Sequence, residues 1–235
     1  MSALAPLLRQ AQYPIVWTKE SAFAVPASFS EMSGKGRARD AVRERWLRPA
    51  DLDRAIVATP ERVWIPLWRV EGAVDGFHLG LRATSGARGR ILPTGGFRHQ
   101  DAVVLVPARA GFSIDPSDRA TLARGDMRPF GDVDPAPSEV VQPDVEREVA
   151  EEEARLRLRR KGEPQQALYA SVDVKIRSVD LVFVPVWVVR YLYAGEASEA
   201  ESEYHAAISA HSGALVSERH PPVFGSLKSR IRSWF

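Results

Sequence analysis

The sequence contains no cysteine. Disulfides, thiolate metal sites and cysteine nucleophiles are therefore excluded from this chain. Long apolar runs are also missing: Leu181 to Val189, the longest, includes Pro185 and has about half of the roughly 18 to 20 residues that a membrane-spanning helix needs. The first residues show no basic stretch followed by a long apolar core. We therefore expect no signal peptide and a cytoplasmic location.

Several signatures of catalysis are missing as well. The sequence has no G-x-S-x-G nucleophile elbow, no H-E-x-x-H zinc motif and no G-x-x-x-x-G-K-[ST] phosphate loop. Charge of one sign does not dominate, because 32 Lys and Arg residues face 30 Asp and Glu residues, for a net charge of +2. This near balance argues against a dedicated nucleic-acid-binding protein. We expect no cofactor and no metal site.

An internal repeat is the strongest positive feature of the sequence. Val63 to Val70 is echoed by Val182 to Val189, and both read apolar, aromatic, apolar, Pro, apolar, Trp at an offset of 119. A second echo relates Phe77 to Ala87 with Tyr204 to Ala214 at an offset of 127. Its Ser-Gly pairs, Ser85-Gly86 and Ser212-Gly213, predict tight hairpin turns. The eight extra residues fall in the small, acidic stretch 194–202, which is typical of a lengthened hairpin loop. The pattern predicts a duplicated module.

Each copy is predicted to contain a helix followed by strands. Helices are expected over Arg37 to Leu47 and over Pro143 to Lys161, where acidic residues come first and basic residues last, in keeping with the helix dipole. A short helix is expected over Asp51 to Ile56. The strand-like boxes contain Pro66 and Pro185, and a proline donates no ladder hydrogen bond. These two prolines are therefore predicted to mark a bulge or an edge position.

The predicted fold class is α+β, with two tandem repeats that each pack a helix on an antiparallel β-meander. This is the general shape of cystatin-like and PepSY-like units, by analogy. The strand from Ala167 to Arg177 alternates through valine and isoleucine, so one of its faces is expected to be wet. The predicted units are an N-terminal arm (1–20), repeat 1 (21–110), an irregular connector (111–142), repeat 2 (143–222) and a basic amphipathic C-terminal segment (223–235).

Several short motifs follow one another in an order and spacing that are similar to those of a known family. They are Phe23-Ala24-Val25-Pro26, Trp46-Leu47, Pro49-Ala50-Asp51-Leu52, the two Pro-and-Trp boxes, and the stretch from Tyr204 to Pro221. In these motifs the chain resembles a bacterial family labelled zinc-ribbon or "primosomal protein N′-like", over roughly residues 20 to 222. The resemblance implies a shared fold. The family's zinc ribbon needs cysteines, so a metal or nucleic-acid role that depends on the ribbon does not carry over.

The C-terminal segment is the first candidate binding site. As a helix it would place apolar side chains on one face and basic side chains around the other, with aromatic residues at its end. It could dock on a protein partner or on an anionic membrane surface, or fold back on its own core. The residues concerned are Leu227, Lys228, Arg230, Ile231, Arg232, Trp234 and Phe235.

A second candidate site involves two histidines. His78 and His205 occupy equivalent positions in the second echo, and with Arg82 and His211 they could line a ligand-binding cleft between the repeats. Ordinary strand histidines inherited from a common ancestor are the alternative interpretation.

The function hypothesis follows from these signals. The sequence favours a non-enzymatic interaction or assembly protein that presents its sheet surfaces to protein partners. The C-terminal segment could act as its tether. A small-ligand-binding protein or enzyme with a cleft between the repeats is the alternative. Specific nucleic-acid binding is not expected, and the oligomeric state stays open.

Overall fold

The computed structural model describes residues 15–43, 56–57, 59–83, 91–110, 122, 127–134, 139–163, 167–193 and 202–219. These residues form an α+β structure around one mixed sheet. The strands are β1 (Phe23–Ala24), β2 (Ile56–Val57), β3 (Glu61–Ala83), β4 (Ile91–Pro107), β5 (Arg128–Pro129), β6 (Ala167–Tyr193), β7 (Ser202–Ser209) and β8 (Leu215–Arg219). The helices are α1 (Glu31–Arg43), α2 (Phe130–Val133) and α3 (Arg147–Gly162).

Two long strands organise the sheet. β3 and β6 pair in antiparallel fashion over most of their length, with Ile65 opposite Val184. β4 pairs with the outer side of β3, while β7 pairs with β6 and β8 pairs with β7. The short β1 joins β6 in parallel, and the other pairings are antiparallel. The sheet is therefore mixed but mostly antiparallel.

One face of β3 forms the largest part of the core. Because side chains alternate across a strand, Trp64, Trp68, Val70 and Val74 point to the same side, and all four are buried. Helix α3 covers this side with its buried small and aliphatic residues. Those residues are Ala150, Ala154 and Leu158.

A glycine lets helix and strand approach closely. A Cβ at Gly72 would lie 2.9 Å from Leu158 Cδ1 and 3.0 Å from the Lys175 carbonyl oxygen. Leu158 is itself fully buried. A side chain at position 72 would therefore push α3 away from the sheet.

The opposite face is also buried near the centre of the sheet. Val63 and Ile65 pack with Val186 and Val188, and Leu67 packs with its neighbours in a further cluster. Burial on both faces explains the nearly continuous apolar run in β6.

The described residues of the predicted connector, 111–142, include side chains that belong to the core. Phe130 is fully buried, and its ring lies 5.2 Å from Trp64 and 5.5 Å from Trp17 between ring centroids. Trp17 belongs to the segment that the sequence assigns to an N-terminal arm. Both segments thus contribute aromatic side chains that close the core.

A buried carboxylate fixes the same region. Asp134 accepts hydrogen bonds from the Trp64 indole Nε1 at 2.9 Å and from Arg62 Nη2 at 2.6 Å. Asp134 is buried, so these two donors replace the water that it gives up. The pairing ties the end of α2 to the start of β3.

The prolines of the two boxes, Pro66 and Pro185, do not lie at a bulge. The β3–β6 ladder has two bulges, and these fall at Gly72 and Gly80. The carbonyl of Pro66 accepts from the Ala108 N–H at 3.1 Å, just beyond the end of β4. The carbonyl of Pro185 accepts from the Ala210 N–H at 2.8 Å, just beyond the end of β7. Each proline nitrogen therefore lies where the hairpin ladder ends and no donor is needed. The sequence predicts a bulge or an edge position for these prolines: the bulge is wrong, and in place of an edge of the whole sheet each proline lies at the end of one hairpin ladder.

Both predicted helices are present, with shifted starts. α3 begins at Arg147 rather than at residue 143, and the N–H groups of Asp144 and Val145, which precede the helix, donate to the Ala108 carbonyl. α1 begins at Glu31 rather than at residue 37, after Ser30, whose Oγ accepts from the Ser33 N–H at 3.3 Å.

The short helix expected to end at Ile56 is wrong at that residue. Ile56 lies in β2, opposite Leu192 of β6. A strand that borders a paired neighbour satisfies its backbone through the ladder, and this tertiary pairing overrides local propensity.

Candidate functional site

The outer half of the long hairpin extends beyond the central core. We call this part the arm, which is not the N-terminal arm predicted over residues 1–20. The arm consists of residues 71–83 of β3, 91–103 of β4 and 167–178 of β6. In each row of the arm, the paired residues of the three strands point to the same face. α3 covers one face of the arm as far as Gly76 and Val172, where the helix ends at Gly162. We call the opposite face of the arm the outer face.

The face under α3 is apolar, as the alternation in β6 predicts. Val172, Val174 and Ile176 pack against the main core cluster together with Val74. The outer-face residues between them, Asp173 and Lys175, are exposed. The prediction of one wet face for this strand is confirmed.

Large apolar side chains cover the far end of the outer face. Phe97 is 89% exposed and Tyr169 57% exposed, and Leu79 and Leu81 are nearly half exposed. Phe77 lies opposite Phe97 on this face, with ring centroids 4.8 Å apart. We call this surface the apolar tip. It consists of Phe77, Leu79, Leu81, Phe97 and Tyr169.

The strands also explain why the tip is held in shape. Leu79 lies opposite both Gly95 and Tyr169, so it sits in the middle of a three-stranded row. A Cβ at Gly95 would lie 2.7 Å from Leu79 Cδ2, which shows that the leucine side chain lies across the glycine backbone. The exposed aromatic rings on either side are therefore carried by paired backbone rather than by a loop.

A group of charged residues, which we call the charged belt, borders the tip on the same face. Its members are paired with each other: His99 Nδ1 lies 2.6 Å from Asp75 Oδ1, and Lys175 Nζ lies 3.5 Å from Asp75 Oδ2. Arg177 Nη2 lies 2.8 Å from Asp101 Oδ1. The belt consists of Asp75, His99, Asp101, Asp173, Lys175 and Arg177.

The contacts within the charged belt determine the charge of Asp75. The hydrogen bond from His99, assisted by the positive charge of Lys175, holds the pKa of Asp75 below its usual value. Asp75 is therefore an ionised acceptor near neutral pH. Since these groups are exposed, they form a hydrated border rather than a desolvated catalytic centre.

The histidines that the sequence grouped into a ligand site are not brought together. The backbone of His78 pairs with Ala170 of β6, whereas that of His205 pairs with Arg190 of the same strand. The separation is 190 − 170 = 20 residues, or roughly 60 Å of extended strand. Arg82 belongs to the His78 end of β3. The backbones of His78 and Arg82 thus lie far along the sheet from those of His205 and His211.

His211 has a structural contact of its own. Its Nδ1 lies 3.0 Å from the carbonyl oxygen of Pro26, so this nitrogen carries the proton and donates. The turn that follows contains Gly213 at a φ of 74°, as the predicted Ser-Gly turn requires. His211 therefore anchors the segment before α1 to the end of β7.

The second sequence echo does not correspond to equivalent strands. Phe77 lies in β3, which carries the first Pro-and-Trp box, whereas Tyr204 lies in β7, which is the hairpin partner of the second box. The predicted Ser85-Gly86 turn lies outside the described residues.

The C-terminal candidate site, from Leu227 to Phe235, also lies outside the described residues. Its role in docking on a partner, on a membrane or on its own core stays a prediction.

Sequence reasoning missed the apolar tip. The spacing of Phe77, Leu79 and Leu81 is the signal that could have found it, since it places three apolar residues on one strand face. The sequence does not show which face of that strand a helix covers, so the exposed face could not be told from the buried one.

Comparisons with protein-family models, with curated proteins and with solved structures found no match to this chain. The family resemblance therefore stays a prediction that rests on the short motifs alone. Among the described residues, no helix combines the length and apolar character needed to cross a bilayer. Within that same part of the chain, no three metal-binding side chains are grouped as a cation site would require.

Proposed function

We propose that this chain is a non-enzymatic interaction or assembly protein that binds a protein partner through the apolar tip of its arm. The observation that carries the proposal is the exposure of large apolar side chains on a rigid, paired sheet face. Aromatic residues dominate this exposed area, and aromatic residues are enriched where proteins bind one another.

The exposed area is large enough to matter. An aromatic side chain offers about 150–250 Å². The tip as a whole then exposes on the order of 400–500 Å² of apolar surface, within the range of roughly 300–600 Å² at which the largest patch on a monomer is often functional. An interface of standard size buries about 800 Å² on each partner. The tip would supply its centre and the charged belt its polar rim.

The chemistry of the partner follows from this layout. The centre of the surface is flat and aromatic, and the belt beside it carries both signs of charge, already paired within the arm. A partner with an apolar patch inside a polar border fits such a surface. A strongly charged partner, such as a nucleic acid, does not.

A pair of double variants tests the proposal. Replacing Phe97 and Tyr169 by alanine removes the aromatic centre of the tip. Replacing Val149 and Leu156 by alanine removes two exposed apolar side chains, 55% and 50% exposed, from the outward side of α3. Affinity for the partner should fall at least about tenfold in the first variant and stay unchanged in the second.

Site-directed photo-crosslinking in the native cell identifies the partner needed for that measurement. A photoreactive residue at position 97 should give a discrete adduct, and excess unlabelled protein should abolish it. The same residue at position 149 should give none. Identical adducts from the two positions, or full affinity in the Phe97 and Tyr169 double variant, would show that the tip is not the binding surface.

We also propose that the chain arose by internal duplication. The two Pro-and-Trp boxes lie side by side, and Ile65 faces Val184, which is its counterpart at the offset of 119. Trp64 faces Pro185 and Pro66 faces Phe183, so the pairing reads the same from either box. A local two-fold axis through the Ile65–Val184 pair would produce this pattern.

A further inference from the structure

Each helix packs on strands of the other half of the chain, and α3 also packs on a strand of its own half. α1 precedes β3 but contacts β6 and β7, whereas α3 precedes β6 and contacts β3, β4 and β6. We define two docking units, residues 23–38 and residues 139–154, which contain the start of one helix each. The helices begin at residues 31 and 147, so the units are related by 147 − 31 = 116.

The units enter the sheet through equivalent backbone contacts. The N–H of Val25 donates to the Phe183 carbonyl at 3.0 Å, and the N–H of Val141 donates to the Trp64 carbonyl at 2.9 Å. The donors differ by 141 − 25 = 116 and the acceptors by 183 − 64 = 119. These are the offsets of the helix starts and of the two boxes.

The next contacts repeat in the same way. Two successive N–H groups before each helix donate to one carbonyl at the end of the hairpin strand. Ser28 and Phe29 donate to Ala210 at 2.9 and 2.8 Å, and Asp144 and Val145 donate to Ala108 at 2.8 and 3.1 Å.

The side chains follow the backbone. Trp187 Nε1 donates to the Phe29 carbonyl at 2.9 Å, and Trp68 Nε1 donates to the Val145 carbonyl at 2.7 Å. The residue after each hairpin-end alanine also contacts the unit: His211 Nδ1 lies 3.0 Å from the Pro26 carbonyl oxygen, and Arg109 Nη1 lies 3.5 Å from that of Gln142. Different side chains thus hold equivalent carbonyls.

We infer that the two halves exchange their docking units about the local two-fold axis, so that the chain is an interlocked pair of equivalent modules. The inference rests on the proposed duplication, but it assigns a specific partner to each surface. The hairpin of one module is a docking site for the unit of the other module, and a module separated from its partner would expose both. The occupant that fits either surface is a second copy of the same module.

An exchange inside the full-length chain tests this inference. Residues 30–38 and 146–154 are swapped, while Gly34 and Ala150 keep their places because the indole of Trp187 leaves no room for a side chain at position 34. Length and composition stay unchanged. The control swaps residues 30–38 with 148–156, which brings Glu152 to position 34 and Leu156 to position 38, where the native residues are buried.

On heating, the protein with the swap at the offset of 116 should unfold cooperatively, and the midpoint temperature of its unfolding should lie within about 10 °C of that of the native chain. The swap at the offset of 118 should lose cooperative unfolding. The inference is overturned if both chains fold equally well or if both fail to fold. Neither swap changes the apolar tip, so this result is independent of the partner-binding test.

Discussion

Two glycines near the start of α1 should respond to the same substitution with opposite signs. Gly34 is buried and Gly36 is exposed, although both lie in the helix interior. A Cβ at Gly34 would lie 2.7 Å from Trp187 Cδ1 and 2.8 Å from its Cγ. A Cβ at Gly36 would meet no heavy atom of the described residues within 4 Å.

The magnitudes follow from two competing effects. Alanine gains about 0.8–1 kcal/mol over glycine in a helix interior, so Gly36→Ala should stabilise the protein by nearly that amount. Gly34→Ala gains the same propensity but must displace an indole whose Nε1 is hydrogen-bonded to the Phe29 carbonyl. Overpacking of this kind costs about 1–3 kcal/mol, so Gly34→Ala should destabilise the protein by up to ~2 kcal/mol.

The assay is urea unfolding, which gives the free energy of unfolding of each variant and of the native chain. The comparison holds when the slope of that free energy against urea concentration is the same in all three proteins. Because the substitutions are chemically identical and two residues apart, helix propensity cancels from the comparison. A Gly34→Ala protein at least as stable as the Gly36→Ala protein would refute the packing of α1 against Trp187.

Three further outcomes follow from the same structure. Leu158→Ala should cost about 2–5 kcal/mol by calorimetry, whereas Leu156→Ala, exposed on the same helix, should cost under ~0.5 kcal/mol; similar losses would contradict the burial of α3. Asp134→Ala leaves an indole and a guanidinium without their shared acceptor, so urea unfolding should show a loss of about 2–4 kcal/mol. The pKa of Asp75 is lowered, so its stabilising contribution is present above the usual carboxyl value of 3.8 and is lost as the pH falls through the folded value. In His99→Ala, NMR titration should find the pKa of Asp75 raised toward 3.8, and an unchanged pKa would contradict the hydrogen bond.

Much of the fold follows from local patterns in the sequence. The charge gradient after residue 146 indicates α3, and the alternating valines of β6 indicate which of its faces is buried. The Pro-and-Trp boxes indicate two related strands. Each of these signals lies within a single helix or strand. The spacing of apolar residues and the order of charged residues within that element are enough to indicate its type.

The remaining features depend on contacts between distant residues. Gly34 lies in α1 where the Trp187 indole leaves no room for a side chain, and local patterns do not show this contact. The sequence predicts α1 to start six residues too late. The choice of strands on which each helix packs is also invisible locally, because a helix pattern does not specify which strand the helix covers. The tip could not be identified for the same reason: its exposure depends on where α3 lies.

The arm separates the surface that stabilises the molecule from the surface that we propose for binding. α3 buries the Val74 side of the arm, and this burial stabilises the part of the arm that lies next to α3. Phe97 is 89% exposed, so its ring gains little from folding and can be truncated at little cost in stability. A side chain that contributes little to the folded state, yet presents an aromatic ring to water on a paired strand, is best accounted for by a partner that covers it.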